Sequence, residues 1–438
     1  MAYFSKKGYR VQPYKHGPDF IDPGYHRAAT GNESINLDYW LMSEDEIIQK
    51  FNLLLQNADI GIVEGMGAIY DGENGTGKGC GAELAYLLSI PVILVIDIFG
   101  MTRSVNALLQ GFLQFDSKVE IAGIVFNRAG SQKHYEMVID SLLPEFQSLS
   151  LGYLQYFPNT NIPERHLGLL TIDENENFKK ILDIYLCEAK KTLEFDELIE
   201  RFPPAKKSYY EVKKSNSSSH VTIGVAKDKA FCFYYRQNLD FLEKSGANIV
   251  YFSPTYDSSL PQEIDGLYFG GGYPEVFAQQ LSENTTLKSE ILKHANLGMP
   301  IYAECGGFVY LCDQILFDDE TSYSMTGLFP YSIRWDKRFL AIRYVNIKTT
   351  QDTIFGPKGL LMKGQEFHQT RIVTESWNPE YCYEVTSSTN EKFSEGFYTK
   401  NALGSYIHLY FPSAPKLAEN FILKCLEYKE NNCDIQKI

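Results

Sequence analysis

Short apolar runs alternate with segments of helical period through the first half of the chain. The apolar runs cover 58–63, 91–96 and 121–126, and the helical segments between them cover 82–88 and 104–115. Strands that are apolar on both faces, each followed by a helix, are typical of a parallel sheet covered by helices on both sides. The pattern predicts a doubly wound, mainly parallel α/β domain over 1–201.

A polar stretch rich in Pro, Ser and Lys follows at 202–219, and it has neither a helical nor a strand period. This composition is typical of a linker. Beyond it the α/β pattern starts again, with predicted strands at 221–226, 248–252 and 266–269 and predicted helices at 238–245 and 417–428. The sequence therefore predicts a second doubly wound domain over 220–438.

Composition and charge agree with a soluble globular protein. The chain has 438 residues, enough for two or three domains of ~100–200 residues each. Lys and Arg number 41 against 55 Asp and Glu, a net charge of −14, which argues against nucleic-acid and membrane partners. No apolar run approaches the ~18 residues that a membrane span needs.

Eight cysteines are spread along the sequence without a close CxxC pair. Such sparse cysteines favour reduced thiols over a disulfide scaffold. The first residues also lack the order of charged, apolar and small residues that marks a secretory signal. Together these features predict a cytoplasmic protein in which one thiol is free for chemistry.

The strongest candidate for a reactive thiol is Cys305. The segment Gly298–Leu311 reads as strand, tight turn and helix, with Cys305 at the turn and Gly306 directly after it. A nucleophile on such an elbow stands out of the sheet, and N–H groups at the helix start stabilise a thiolate or an oxyanion. The alternative is a buried, inert cysteine at the end of a strand.

Two further segments suit the same chemistry. A predicted strand ends in three glycines, Gly270, Gly271 and Gly272, which suit an oxyanion hole or a close approach to glutamine, or simply form a turn. His408 lies in a late apolar strand, where it is either a base for a thiol or a core residue.

Together these segments resemble the glutamine amidotransferase domain of the cobyrinic acid a,c-diamide synthase and cobyric acid synthase group, over 221–438. The group's "GGGYPE", "ECGG" and "SYxHLHF" motifs match 270–275, 304–307 and 405–411, with Tyr410 in place of the second histidine. A motif "GHEFHYS" resembles 364–370, where Glu366 and His368 match while Gln365, Gln369 and Thr370 depart, and the alternative for this segment is a solvated edge strand. The resemblance implies that Cys305 attacks the glutamine amide and that His408 shuttles the proton.

The N-terminal half carries charged residues at predicted strand ends. Lys15, Asp19, Asp22 and His26 lie between proline and glycine breakers after a short strand, and Glu64 ends a later strand. Carboxylates beside a lysine at the carboxyl end of a strand suit magnesium and phosphate. The alternative is a charged turn.

This half resembles the same family from residue 1 to about 170. Residues 14–26 are close to "FKVGPDYIDPxxH", and 64–72 match "EGVMGLFDG" with Glu64 and Asp71 in register. Further matches lie at 36–38, 81–85, 127–128 and 162–169. The resemblance implies a dethiobiotin-synthetase-like domain in which Lys15, Asp19, Asp22 and Asp71 bind ATP or substrate, and Glu64 and Asp22 hold Mg²⁺.

A glycine-rich segment at 72–79 superficially matches the phosphate-binding pattern GxxxxGK(S/T). Gly79 replaces the Ser or Thr, and the preceding strand ends too early, so we interpret the segment as a surface loop. The family's own phosphate loop precedes the "KVGPD" motif, whereas this sequence opens on 1–8, which reads as the end of the first helix. A start codon placed at an internal Met is favoured over true loss of the loop.

These features lead to one functional hypothesis with two rivals. The resemblance implies an amide ligase that uses ATP, Mg²⁺ and glutamine to amidate the a- and c-acetates of cobyrinate through acyl phosphates, in cobalamin biosynthesis. One rival is the same chemistry on nickel-sirohydrochlorin. The other is a glutaminase or tetrapyrrole-binding protein without ATPase activity. The sequence leaves the oligomeric state open.

Overall fold

A computed structural model describes residues 1–157, 162–165, 168–202, 220–373 and 379–435, with side chains described as far as residue 432. The chain divides into two compact units, Met1–Glu211 and Val212–Ile438. Apart from Phe202, the predicted linker lies outside the described residues, so its bounds stay a prediction. Both units mix helices with parallel strands, which confirms the predicted α/β class.

The first unit contains short parallel sheets flanked by helices. Its helices are α1 Ala2–Lys6, α2 Asp22–Thr30, α3 Glu44–Leu55, α4 Gly81–Leu88, α5 Val105–Phe115, α6 Gln132–Ser141, α7 Pro144–Gln147, α8 Phe178–Thr192 and α9 Phe195–Arg201. Its strands are β1 Val11–His16, β2 Ile35–Leu37, β3 Ile60–Glu64, β4 Val92–Asp97, β5 Ile121–Ala129, β6 Ser150–Gln155, β7 Glu164–Arg165 and β8 Gly168–Leu169.

The strands of this unit do not form the single sheet that the sequence predicted. Strands β2-β1-β3 make one parallel sheet of three, and β4-β5-β6 make another. Within the described residues, β3 and β4 are therefore edge strands. The prediction of strands covered on both faces is wrong for β4, where Val95 is 59% exposed. An alternation of apolar runs predicts strands, but it does not say which strands pair.

The segment at 72–79 is a surface loop, as its sequence indicated. A short 3₁₀ turn, Glu73–Gly75, lies within it, and most of its side chains are exposed. The N–H of Glu73 donates to the carbonyl of Lys78 at 2.8 Å, so the loop closes on itself. Lys78 makes a long ion pair of 3.7 Å with Glu73 at the surface.

The second unit is built on one large sheet. Its strands are β9 Val221–Ala226, β10 Phe231–Phe233, β11 Ala247–Phe252, β12 Gly266–Phe269, β13 Gly271–Gly272, β14 Ile301–Glu304, β15 Cys312–Leu316, β16 Ser322–Ser324, β17 Phe329–Trp335, β18 Ala341–Thr349, β19 Leu361–His368, β20 Thr370–Ile372, β21 Tyr381–Ser387, β22 Lys392–Thr399, β23 Ala402–Ser405 and β24 Ile407–Tyr410. Its helices are α10 Arg236–Lys244, α11 Ala278–Glu283, α12 Thr285–Asn296, α13 Gly306–Leu311 and α14 Lys416–Ile435.

Ten of these strands form the sheet in the order β11-β9-β12-β14-β23-β22-β21-β18-β19-β24. The strands from β11 to β23 are parallel, and the pairs from β23 to β24 are antiparallel. Only Tyr406 separates β23 from β24 in the chain. Because β23 and β24 stand at opposite ends of the antiparallel half, that half must curl until its two ends meet.

Side chains alternate between two hydrophobic cores on the two faces of the parallel strands. On β12 and β14, Phe269 and Ala303 belong to one core, while Tyr268 and Tyr302 belong to the other. This two-residue period is the one expected of a strand buried on both faces. It places Glu304 on the same face as Tyr302, next to Tyr268 on the neighbouring strand. Among the described residues, no helix is long and apolar enough to cross a membrane.

Candidate active site

Cys305 occupies a sharp turn between β14 and α13. Its backbone has φ 50° and ψ −111°, a left-handed conformation that costs a residue with a side chain about 1–3 kcal/mol. The N–H of Cys305 donates to the carbonyl of Ser405 on β23 at 2.7 Å, and the side chain is almost fully buried. The pairing of β14 with β23 thus holds the strained turn in place.

His408 lies on β24 and interacts directly with the thiol of Cys305. The ring is 1% exposed. Burial lowers the pKa of His408, but the neighbouring Cys305 and Glu304 outweigh it and raise the pKa to about 10. The structure therefore brings together two residues that lie more than a hundred positions apart in sequence, in surroundings that favour the imidazolium form of His408.

Glu304 is a residue at this site to which the sequence assigned no role. Its side chain is fully buried, and Oε1 lies 3.8 Å from Nδ1 of His408. The hydroxyl groups of Tyr268 and Tyr302 both donate to its carboxylate. Its position directly before Cys305 indicates that it lies near the predicted nucleophile. The sequence does not show, however, on which face of the sheet its side chain lies.

The three glycines after β12 pack tightly against the elbow and His408. A Cβ on Gly271 would lie 2.3 Å from Cε1 of His408, and one on Gly306 would lie 3.0 Å from the nitrogen of Gly272. The N–H of Gly270 donates to the hydroxyl of Tyr234 at 2.8 Å, so this donor is already engaged. The predicted oxyanion and glutamine-binding roles of Gly270, Gly271, Gly272 and Gly306 stay predictions.

The segment 364–370 also borders the thiol. The carbonyl of Phe367 accepts from Sγ of Cys305 at 3.7 Å. Glu366 bonds Arg343 at 2.6 Å and His368 at 2.7 Å, and although burial raises the pKa of Glu366, these two partners lower it below its usual range. The backbone of this segment reaches Cys305, whereas its charged side chains form their own network.

Replacing Gly271 with alanine should impair the Cys305–His408 pair. The added Cβ would force His408 to move, which should cost about 1–3 kcal/mol of unfolding free energy and lower glutamine hydrolysis about 100-fold. Glutamate release and thermal melting measure the two effects. Gly111→Ala is the control, since open space surrounds that helical glycine. Unchanged hydrolysis by Gly271→Ala would contradict the close packing.

A second cluster surrounds Lys15 at the carboxyl end of β1. Nζ of Lys15 lies 2.5 Å from Asp22, 3.8 Å from Glu64 and 3.3 Å from the carbonyl of Gly65. Burial lowers the pKa of Lys15, but Asp22 and Glu64 outweigh it and raise it. Lys15 is 4% exposed, so the structure places a buried cation between two partly exposed carboxylates.

The other predicted residues of this half have different surroundings. Oδ1 of Asp19 accepts the N–H groups of Ile21 and Asp22, and burial followed by the charge of Asp22 raises the pKa of Asp19. Asp71 is exposed in a turn, and the carboxylates that act on Lys15 are Glu64, Asp22 and Asp19. The binding roles of Asp19 and Asp71 stay predictions.

His26 belongs to the cluster, although the sequence gave it no separate role. Nε2 of His26 pairs with Glu64, and Nδ1 lies 2.9 Å from the hydroxyl of Ser34. Among the described residues, no group of three or more His, Cys, Asp or Glu side chains forms a metal cage. Glu64 and Asp22 are nonetheless oxygen donors of the kind that Mg²⁺ takes when phosphates and water complete its shell.

A strained elbow with a buried Cys–His pair suits acyl transfer by a cysteine nucleophile. Residues 222–416 match the family of CobB/CobQ-like glutamine amidotransferase domains. The whole chain belongs to the cobyrinate a,c-diamide synthase family, and it is an amide ligase with glutamine as amide donor.

Three relatives support the assignment of the chain to this family. Cobyrinate a,c-diamide synthase of Dehalococcoides mccartyi is 39% identical over 96% of this chain and 93% of its own. The enzyme of Caldanaerobacter subterraneus is 36% identical over 98% of this chain and 94% of its own. The enzyme of Priestia megaterium is 35% identical over 99% of this chain and 94% of its own.

Proposed function

We propose that this enzyme amidates the a- and c-acetate carboxylates of cobyrinate, with ATP as co-substrate and glutamine as the source of ammonia. The observation that carries the proposal is the buried Cys305–His408 pair, in a chain similar over almost its full length to enzymes named cobyrinate a,c-diamide synthase. The Lys15 cluster supports the ATP-dependent half.

The glutaminase half needs a nucleophile, a proton carrier and an oxyanion site. The thiolate of Cys305 attacks the side-chain carbonyl carbon of glutamine, and the C–N bond breaks as ammonia takes its proton from His408. Water then cleaves the thioester to glutamate and restores the thiol. N–H groups from Gly271, Gly272 and Gly306 are the candidates to stabilise the oxyanion.

The synthetase half activates a poor electrophile. A substrate carboxylate attacks the γ-phosphorus of ATP, ADP leaves, and ammonia then displaces phosphate from the acyl phosphate to form the amide. Lys15 is placed to neutralise charge on the transferred phosphoryl group. Asp22 and Glu64 would hold Mg²⁺, which when bound supplies further charge neutralisation.

A cavity in the first unit suits the base of a nucleotide. It has a volume of about 660 Å³ and lies at the carboxyl ends of β5 and β6, lined by Asn127, Arg128 and Tyr156 among others. The guanidinium of Arg128 lies 5.4 Å from the ring of Tyr156 and pairs with Asp97 at 2.8 Å. Ligands of open α/β sheets bind at this edge, which supports ATP as the co-substrate.

Phosphate release tests the proposal. The protein should release phosphate from ATP and Mg²⁺ only when cobyrinate and an ammonia source are both present, with two phosphates for each diamide. Nickel-sirohydrochlorin is the matched second substrate. Faster amidation of nickel-sirohydrochlorin would overturn the substrate assignment. Glutamine hydrolysis without phosphate release from ATP, with either macrocycle present, would overturn the ligase assignment.

A further inference from the structure

The carboxylate of Glu304 lies between the tyrosines of the sheet and the strand of His408. Oε1 accepts the hydroxyl of Tyr268 at 2.7 Å and lies 3.8 Å from Nδ1 of His408. Oε2 accepts the hydroxyl of Tyr302 at 2.9 Å and the N–H of Leu409 at 3.2 Å. Three donors therefore converge on a carboxylate that is fully buried.

A buried carboxylate needs a nearby cation, because removing its charge from water is costly. The titratable groups that act electrostatically with Glu304 include four tyrosines and one histidine, namely Tyr234, Tyr268, Tyr302, Tyr383 and His408. Burial raises the pKa of each tyrosine well above its usual value, so all four are neutral. Of these five groups, His408 is therefore the one that offsets the negative charge of the Glu304 carboxylate.

The backbone around His408 is fixed from both sides. The N–H of Leu409 donates to Glu304, and the carbonyl of Leu409 accepts from Nδ2 of Asn238 at 2.7 Å. Oδ1 of Asn238 also accepts the N–H of Phe411 at 2.8 Å. Glu304 thus acts on His408 in two ways, through the charge at Nδ1 and through the strand that carries the ring.

We propose that Glu304 is a positioning residue that holds His408 as an imidazolium facing Cys305. The imidazolium stabilises the attacking thiolate and is the acid that protonates the leaving ammonia. Glu304 acts through His408, since its carboxylate lies 3.8 Å from Nδ1 of that ring and accepts the N–H of Leu409 next to it. The last residue of β14 is therefore the group that acts on His408, and the turn directly after that strand supplies the nucleophile.

Glu304→Gln tests this role, because it removes the charge and keeps the size of the side chain. The inference rests on the glutaminase half of the proposed function. Glutamine hydrolysis is therefore measured without ATP or tetrapyrrole. Hydrolysis by the wild-type protein tests the glutaminase activity itself, separately from the role of Glu304. We expect kcat to fall about 10²- to 10⁴-fold with little change in KM. The alkaline limb of kcat/KM should move down by about 1–3 pH units.

Glu395→Gln is the matched control. Glu395 is also buried in this sheet, where it bonds Ser405 and the N–H of Tyr406, and burial raises its pKa to about 8. Its carboxyl group is therefore largely neutral at pH 7, and glutamine should replace it with an unchanged alkaline limb. A limb that stays in place in Glu304→Gln, or one that moves equally in Glu395→Gln, would overturn the proposal.

A measurement on the wild-type protein covers the case in which Glu304→Gln does not fold. With ¹⁵N-labelled histidine, NMR should show His408 protonated on both ring nitrogens at pH 8, and the signal should disappear from the spectrum of His408→Gln. A neutral His408 ring at pH 8 in the wild type would exclude the proposed imidazolium and overturn the assignment of Glu304.

Discussion

Cys305→Ala should abolish glutamine-dependent amidation and leave ammonia-dependent amidation close to the wild-type rate. Alanine removes the sulfur that attacks the glutamine amide, and the loss of a covalent nucleophile commonly costs about 10⁴- to 10⁶-fold in rate. The synthetase half uses ammonia from any source, so added ammonium salt should bypass the defect. Amide formation with each nitrogen source, followed by mass spectrometry of the tetrapyrrole, measures both rates.

The control for this experiment is Cys187→Ala. Cys187 is an exposed cysteine on α8 of the first unit, so its removal tests for general effects of a lost thiol. This variant should amidate the substrate at the wild-type rate with either glutamine or ammonia. Loss of ammonia-dependent amidation in Cys305→Ala would contradict a division of labour between the two units.

Lys15→Ala should produce the opposite pattern. Without the buried ammonium, the carboxylates of Asp22 and Glu64 are left beside the incoming phosphates, and synthesis should fall about 10²- to 10³-fold with either nitrogen source. Glutamine hydrolysis should remain, because Cys305 and His408 belong to the other unit. Phosphate release and glutamate release, measured on the same sample, separate the two activities.

Lys6→Ala is the matched control for Lys15→Ala. Lys6 also pairs with an aspartate, Asp183, at 2.5 Å, but both side chains are more than half exposed. An exposed pair of this kind contributes little, so synthesis should be unchanged. If Lys15→Ala retained wild-type synthesis with ammonia, the Lys15 cluster would not be the phosphoryl-transfer site.

The glycine motif shows how far sequence reasoning reached at the active site. Three consecutive glycines predicted a close approach of the backbone, and the structure shows what approaches, since Gly271 lies against the ring of His408. The engagement of the Gly270 N–H by Tyr234 could not be predicted, because that tyrosine comes from a segment 36 positions earlier. A motif identifies residue types, whereas contacts depend on the sheet order.

The first unit shows the same limit at the level of the fold. Its apolar runs predicted the strands β3, β4 and β5 within a few residues, but not their division between two sheets. Local hydrophobic period determines that a segment is extended, while pairing depends on segments far away in sequence. The exposure of Val95 follows from that pairing and not from the local sequence.

The sequence by itself predicted the α/β class, the elbow at Cys305 and the charged residues after β1, because each depends on local spacing and residue type. The pairing of His408 with Cys305 came from the family resemblance and not from local spacing. The tertiary structure alone decided that Glu304 faces His408 and that Lys15 is buried among Asp22 and Glu64. Those contacts arise from the curling of the antiparallel strands and from parallel pairing. Each arrangement brings together residues that are far apart in sequence, and nothing in the local sequence indicates that they are close in space.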